Sequence, residues 1–403
     1  MKWIVRIAVG LAALLVLAAL GVAFLPVSPF VPASRDLADE TQFDLEEKVG
    51  WYRLEDGSLR LLTWADERGL VLYRFGSNRD DLGRSAFLPV TPDLLASASG
   101  PNERRLEFVR GSNAVIIKAN LTTPDGVQSM VPVTGPYETR EVRFGSDAAQ
   151  LAGLLLLPAG AGPHPAVAFI HGSGTSSRDR FWYLTPADYL AREGIAVLLP
   201  DKRGSGKSGG EWHTSSFGEL ATDAVDAVDF LVEQASVDRV RVGLAGFSQG
   251  GWVAPLAAAQ SAEIAFLITI SGSVATPSEQ ITYEVSREIR NGGAPGLVAR
   301  TMAPLFARRA KMRLKSWWKL NGSFDPIPYW RDLGRPSLMF FGEADQNVDV
   351  SRSLGLLADA ELTAREGFST VVFPTLGHGL IREDTGWLEP EYLRSMGQFI
   401  LSK

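Results

Sequence analysis

Two pentapeptides of the form Gly-x-Ser-x-Gly could each turn a serine hydroxyl into a nucleophile: Gly206-Lys-Ser208-Gly-Gly210 and Gly246-Phe-Ser248-Gln-Gly250. With 40 glycines in 403 residues, composition alone yields on the order of 0.3 such matches, so context must choose between them. A serine activated in this way sits at the tip of a sharp strand-to-helix turn, and the flanking glycines remove side chains that would crowd it. Val242-Gly-Leu-Ala-Gly246 supplies a strand before Ser248. Gly251 to Ala259 supplies a helix after it, provided that Pro255 falls within the first turns. Ser208 follows a polar, glycine-rich loop and has no helix directly after it. Ser248 is therefore the candidate nucleophile, and Ser208 reads as a loop residue.

A serine hydroxyl is a weak nucleophile until a base takes its proton. The chain has 4 histidines, His164, His171, His213 and His378, and only His378 follows Ser248. It lies in Leu376-Gly-His-Gly379, just after the strand-like Val371-Val-Phe373. With this type of elbow the acid falls between serine and histidine in the chain. Asp345, just past the apolar run that ends at Gly342, fits that place, with Glu343 and Asp349 as neighbouring competitors. Its task would be to orient the imidazole and stabilise its protonated form. A histidine base works only when neutral, so activity is expected to fall below the ordinary imidazole pKa of about 6.5.

A tetrahedral oxyanion needs two backbone donors aimed at the developing charge. One is expected from Gln249, directly after Ser248, and the other from the loop His171-Gly-Ser-Gly174. Ser173 is the first choice there and Gly174 the second. His171 reads as a packed loop residue and His164 as a structural residue in a turn; His213 is assigned no role. Gly206-Lys207-Ser208 resembles the end of a phosphate-binding loop, but that motif needs a glycine where Asp201 stands. It therefore carries no nucleotide-binding assignment.

The elements that must hold these residues follow from the apolar pattern. Val142–Phe144, Leu154–Leu157, Ala166–Ile170, Ile195–Pro200, Val242–Gly246, Phe266–Ile270, Ser337–Phe341 and Thr370–Phe373 have strand length. Most are continuous apolar runs, as expected of parallel strands buried on both faces. Helical patterns separate them. Between 220 and 231, Leu220, Ala224, Ala227, Val228 and Leu231 share one face and the aspartates the other. Alternating strands and helices predict a doubly wound, mostly parallel α/β sheet over residues 141–403. Residues 274–335 interrupt the alternation and are expected to form a helical cap over the site, against the alternative of a longer crossover. Trp317 and Trp318 within them fit a pocket lining and a buried structural role equally well. Residues 51–140 read as a small antiparallel β domain. Short apolar runs at 60–63, 70–73 and 114–117 are split by the turn dipeptides Asp56-Gly57 and Asp125-Gly126.

Ahead of that domain, residues 26–50 begin with Pro26, Pro29 and Pro32 and read as a linker. Residues 1–25 carry Lys2 and Arg6 before an uncharged apolar run from Ile7 to Leu25, close to the roughly 20 residues that span a bilayer as a helix. The preferred reading is an uncleaved transmembrane anchor with the basic flank inside and the rest of the chain outside the cytoplasm. Small residues at Gly21-Val22-Ala23 keep a cleaved signal peptide open.

Composition closes other classes. The 45% hydrophobic and 21% charged content is ordinary for a globular chain. A formal charge of −6 gives no basic face for nucleic acid. The absence of cysteine excludes disulfides, thiolate metal sites, cysteine nucleophiles and a lipidated cysteine.

From about residue 141 to 403 the chain resembles the α/β-hydrolase superfamily. Five features recur in the family's order: His171-Gly172, Asp201-Lys-Arg203-Gly204-Ser-Gly206-x-Ser208, the Ser248 elbow, Asp345 and His378. Pro163-His-Pro-Ala-Val167, followed by a strand and His-Gly-Ser-Gly, is similar to the acyl-peptidase and dienelactone-hydrolase-like branch. The 51–140 segment resembles the β-rich leader domains of some exported bacterial hydrolases of that branch. The resemblance implies that Asp201 and Arg203 brace loops beneath the site rather than react. It implies acyl transfer with neither metal nor organic cofactor. Carboxylic esters are the leading substrate expectation, followed by short peptides or acyl-aminoacyl compounds. A non-catalytic, membrane-tethered binding protein is the contrasting expectation, and the presence of all three triad residues counts against it.

Overall fold

A computed structural model describes residues 43–403 apart from 66–68, 76–82, 98–103, 147–148 and 179. The anchor or signal peptide read at 1–25 and most of the linker lie outside the described residues. Among the described residues no helix is long and apolar enough to cross a membrane.

Eight strands form a closed antiparallel barrel in sequential order. They are β1 (Gly50–Leu54), β2 (Leu59–Trp64), β3 (Leu70–Arg74), β4 (Gly83–Thr91), β5 (Leu94–Ser97), β6 (Arg105–Arg110), β7 (Ile116–Thr123) and β8 (Gly126–Val133). Pairing of β8 with β1 closes it, which leaves no free edge. Both turn dipeptides join neighbouring strands: Asp56-Gly57 joins β1 to β2, and Asp125-Gly126 joins β7 to β8. The run at 114–117 divides, because Ala114 lies in a turn at positive φ and β7 begins at Ile116. The last residues of the segment read as a linker are structured. Residues 46–48 form a 3-10 turn, and Leu45 packs on the barrel core.

Strands β1 to β3 are buried on both faces, which explains their unbroken apolar runs. Successive strand residues point to opposite faces. Tyr52, Leu62, Leu70 and Leu72 fill the barrel. Trp51, Leu61, Val71 and Tyr73 join the core of the next domain instead. Trp51 Nε1 donates to the Tyr137 carbonyl at 2.8 Å, and Tyr137 donates its hydroxyl proton to Asp188 at 2.7 Å. Arg192 pairs with Asp188 and lies over the Trp51 ring.

The second sheet has eight strands: β9 (Tyr137–Ser146), β10 (Ala149–Pro158), β11 (His164–Ile170), β12 (Ala196–Pro200), β13 (Val237–Phe247), β14 (Leu267–Ile270), β15 (Ser337–Gly342) and β16 (Phe368–Phe373). Their order is β16-β15-β14-β13-β11-β12-β10-β9. The pairs β9/β10 and β10/β12 are antiparallel, and the other pairs are parallel. β9 starts four residues before the change of texture at Glu141. It is an edge strand of alternating polarity, so its outset reads as loop. His164 opens β11 and donates its N–H to Ser236, in a strand rather than a turn.

Helices α1 (Phe181–Arg192), α2 (Phe217–Val232), α3 (Gly250–Gln260), α8 (Val350–Asp359) and α9 (Pro390–Leu401) cover the sheet, while α4 (Pro277–Asn291), α5 (Gly296–Arg313), α6 (Lys315–Asn321) and α7 (Ile327–Asp332) fill the 274–335 insertion. Helix α2 opens on a reciprocal capping box between Ser216 and Glu219. It buries the Leu220, Ala224, Ala227, Val228 and Leu231 stripe.

Candidate active site

The sheet delivers Ser248 to a point. β13 ends at Phe247 and α3 begins at Gly250, so only Ser248 and Gln249 turn the chain. Ser248 has φ +49, a left-handed conformation that costs a non-glycine residue energy and that active sites retain. The flanking glycines are required by contact. A Cβ on Gly246 would lie 2.3 Å from the Gly250 carbonyl oxygen, and one on Gly250 would lie 2.7 Å from that of Ile170. Pro255 falls in the second turn of α3, where it withholds one N–H from the helix ladder.

Three loops at the same end of the sheet bring the other partners in. His378 Nδ1 lies 2.8 Å from Asp345 Oδ2. A carboxylate only accepts, so Nδ1 carries the proton and Nε2 is the acceptor. Nε2 faces Ser248 Oγ at 3.0 Å. Asp345 is buried, and its other oxygen accepts from the Asn347 and Val348 N–H groups at 2.7 and 3.0 Å. The competitors do other things. Asp349 caps α8 through the Arg352 N–H, and Glu343 is exposed.

The loop after β11 closes over the elbow. A Cβ on Gly172 would lie 3.4 Å from Ser248 Cβ. Among the described residues neither the Ser173 nor the Gln249 N–H donates to a protein acceptor. The Gly172 N–H is already engaged by the Tyr183 hydroxyl at 3.0 Å. His171 is buried; its Nε2 donates to the Pro200 carbonyl and its Nδ1 accepts from Ser176 at 3.0 Å. Burial pulls its pKa down to about 4, so it is a neutral packing residue, edge-on to Tyr183. His213 sits beside Glu211 in a 3-10 turn.

Comparison with known proteins points the same way. A family model described as Hydrolase_4, serine aminopeptidase, S33, matches residues 161–319. The Pyrococcus furiosus esterase Pf2001 superposes with a TM-score of 0.50 at 20% identity, covering 66% of this chain and 91% of its own. The chain has the α/β-hydrolase fold. Its sequence is 27% identical to esterase EstD of Thermotoga maritima over 260 residues, 60% of this chain and 61% of EstD. It is 26% identical to the uncharacterized peptidase YtmA of Bacillus subtilis over 60% of this chain and 90% of that one. It is 27% identical to dipeptidyl aminopeptidase BIII of Pseudoxanthomonas mexicana, but spans only 31% of that protein. These likenesses support a hydrolase of the α/β-hydrolase superfamily.

Beneath the site, the loop from Asp201 to Ser208 is held by a buried ion pair. Arg178, fully buried, donates to Asp201 Oδ1 from Nε and from its backbone N–H at 3.0 Å each, and to Oδ2 from a terminal nitrogen at 2.6 Å. A Cβ on Gly206 would lie 2.3 Å from the Asp201 carboxyl carbon, so only glycine lets the loop fold back so tightly. Ser208 is fully buried and donates to the Asp201 carbonyl at 2.7 Å, a structural role. Arg203 forms a two-pronged pair with Asp223 on α2. The sequence reading found Asp201 and Arg203 but passed over Arg178, which lies in no motif.

Burial pushes the Asp201 carboxyl up, but the charge and hydrogen bonds of Arg178 outweigh it and hold the pKa below the usual range. The stabilisation is therefore complete above the unfolded value of about 3.9 and is lost as pH falls through the lower folded value. Arg178→Met should cost about 3–5 kcal/mol, because it strands a buried carboxylate. Urea unfolding at pH 7 checks this; an unchanged midpoint would show that the pair holds nothing.

The helical insertion also touches the triad loops. Tyr283 on α4 donates to the Asp345 carbonyl at 3.0 Å, and Arg287 donates to Gln346 Oε1 at 2.7 Å. Glu284, between them in sequence, is half-buried. Burial raises its pKa, opposed by a hydrogen bond from Gln280 at 3.1 Å and by the His378 imidazole. Trp317 does not line this region: it is buried edge-on against Phe217 and Trp318. Trp182, 45% exposed, lies against the histidine loop; a Cβ on Gly379 would come within 2.5 Å of its ring. Trp182 had no sequence signal, because its value comes only from being folded against the histidine loop.

Proposed function

We propose that this protein is a serine hydrolase that cleaves carboxylic esters through an acyl-enzyme. The reading is carried by one observation: Ser248 Oγ, His378 and Asp345 form an unbroken hydrogen-bond relay at a strained elbow. Ser248 Oγ bonds to the substrate carbonyl carbon while its proton passes to His378 Nε2. The carbonyl electrons move to oxygen, where the Gln249 and Ser173 N–H groups receive them. Asp345 stabilises the imidazolium. The tetrahedral intermediate collapses, the alkoxide leaves with the proton from Nε2, and a water activated by the same nitrogen releases the acid. The α4 wall, with Tyr283, Glu284 and Arg287, caps the acyl or leaving-group side.

A second reading has its own support. Glu284 carries a half-buried carboxyl on the helix whose Tyr283 and Arg287 touch the acid loop; reaching the bound substrate, it would give an aminoacyl ammonium its partner. Purified full-length protein should turn over p-nitrophenyl acetate and butyrate well above aminoacyl p-nitroanilides. Glu284→Gln should leave the ester kcat/KM within about threefold, since a neutral substrate gains nothing from the charge. If the anilides are preferred, and the same variant raises their KM at least tenfold, the aminoacyl reading replaces the ester one.

A further inference from the structure

We propose that Lys202 is a positioning residue of the oxyanion hole, one buried ammonium that fixes both backbone donors and adds positive charge beneath the developing oxyanion. This deepens the acyl-transfer reading above and rests on it. Lys202 Nζ donates to the Gly172 carbonyl at 2.7 Å and to Gln249 Oε1 at 2.5 Å. Its third direction faces the Trp212 ring, 5.4 Å from the centroid. The two residues it grips are those that frame the hole.

The Gly172 contact acts through one peptide unit. The carbonyl of Gly172 and the N–H of Ser173 belong to the same planar group and point in opposite directions. An ammonium on the carbonyl oxygen therefore turns the N–H away from Lys202 and toward the elbow. It also draws electron density along the amide and makes that N–H a stronger donor. The Gln249 contact acts through the side chain. It ties the residue that carries the other donor to the same nitrogen, so the spacing between the β11 loop and the elbow is set by a single group.

The charge itself argues for function. A buried ammonium normally has a carboxylate partner, because desolvation is costly. Among the described residues no carboxylate forms a salt bridge with Lys202; Asp201, its sequence neighbour, is held by Arg178. Asp223, which lines the same small cavity, is likewise held by Arg203, and His171 there is neutral. The site thus holds a cation with no carboxylate salt-bridged to it among the described residues, hydrogen-bonded to the two residues that frame the hole. Burial pulls the Lys202 pKa down to about 7, and a negative charge developing nearby would favour its protonated form.

The test compares Lys202→Met and Lys202→Arg with the wild type on p-nitrophenyl butyrate. Lys202→Met should lower kcat about tenfold to a hundredfold, less than the 10²–10³-fold expected for deleting a donor outright. KM should change little, because the ground-state carbonyl carries no full charge. An alkyl trifluoromethyl ketone, which adds to Ser248 Oγ and leaves its oxygen as an oxyanion in the hole, should lose affinity in proportion to kcat. Lys202→Arg should recover part of both losses. Lys202→Met with wild-type kcat and wild-type ketone affinity would overturn the proposal. So would equal losses in KM and in melting temperature, which a purely structural lysine would give. If the methionine variant does not fold, Lys202→Gln, neutral but still a hydrogen-bond donor, takes its place with the same criteria. Absence of Ser248-dependent turnover in the wild type is a different result: it removes the acyl-transfer reading and the lysine role with it.

Discussion

Ser248→Ala should reduce ester turnover by about 10⁴- to 10⁶-fold, since removing the nucleophile disables the triad as a unit, and should abolish labelling by a fluorophosphonate. The protein should remain folded. Ser248 makes its backbone bond to the Ile270 carbonyl at 2.8 Å whatever its side chain, and alanine removes only the hydroxyl. The rival pentapeptide provides the control. Ser208 is fully buried, accepts from the Ala152 N–H at 2.9 Å and donates to the Asp201 carbonyl at 2.7 Å. Ser208→Ala should leave labelling intact and cost about 1–3 kcal/mol of stability, the penalty for a stranded buried partner. If labelling persists in Ser248→Ala and vanishes in Ser208→Ala, the elbow has been assigned to the wrong serine. A folded wild type that neither labels nor turns over esters favours a tethered binding protein.

How much of this was legible in the sequence depends on the kind of signal. The parallel strands were visible because burial on both faces demands unbroken runs such as Ala166–Ile170 and Ser337–Phe341. The triad candidates were visible because the chemistry restricts both residue type and order, and four histidines left one choice after Ser248. Closure of the barrel was not visible. It depends on pairing between β1 and β8, some eighty residues apart, and no local pattern encodes that register. The two-sided burial of Leu61-Leu62 and Leu70–Tyr73 was equally hidden, because a run buried by a second domain looks like one buried within its own.

The missed site residues share a cause. Arg178 and Lys202 received no role, since lysine and arginine are seldom fully buried and nothing local marks the exception. Only the folded chain shows that one meets Asp201 and the other meets two carbonyl oxygens. Tyr283 and Arg287 lie on the polar side of a helix that packs Ile281, Val285 and Ile289 on its other face, and only the folded chain shows that they reach the acid loop. The balanced reading of Trp317 was decided the same way, by contact with Phe217.

Asp345→Asn should lower kcat by about 10⁴-fold with KM little altered, the scale on which a wrongly oriented imidazole acts. The reason lies in which oxygen is already committed. Oδ1 accepts from two backbone N–H groups, Asn347 and Val348. An asparagine must keep its carbonyl oxygen there, because an NH₂ group facing two donors would be repelled. Its NH₂ group then takes the place of Oδ2, opposite His378 Nδ1, where it can only donate. Nδ1 must accept, so the proton moves to Nε2, and the nitrogen facing Ser248 Oγ can no longer take a proton from it. The site would keep its shape and lose its base. Retained geometry with lost turnover, together with slow fluorophosphonate labelling, is the expected result. Asp349→Asn tests the competitor: its carboxylate caps α8 through the Arg352 N–H, and asparagine caps nearly as well, so activity should be unchanged. Full activity in Asp345→Asn, or a large loss in Asp349→Asn, would move the acid from one residue to the other.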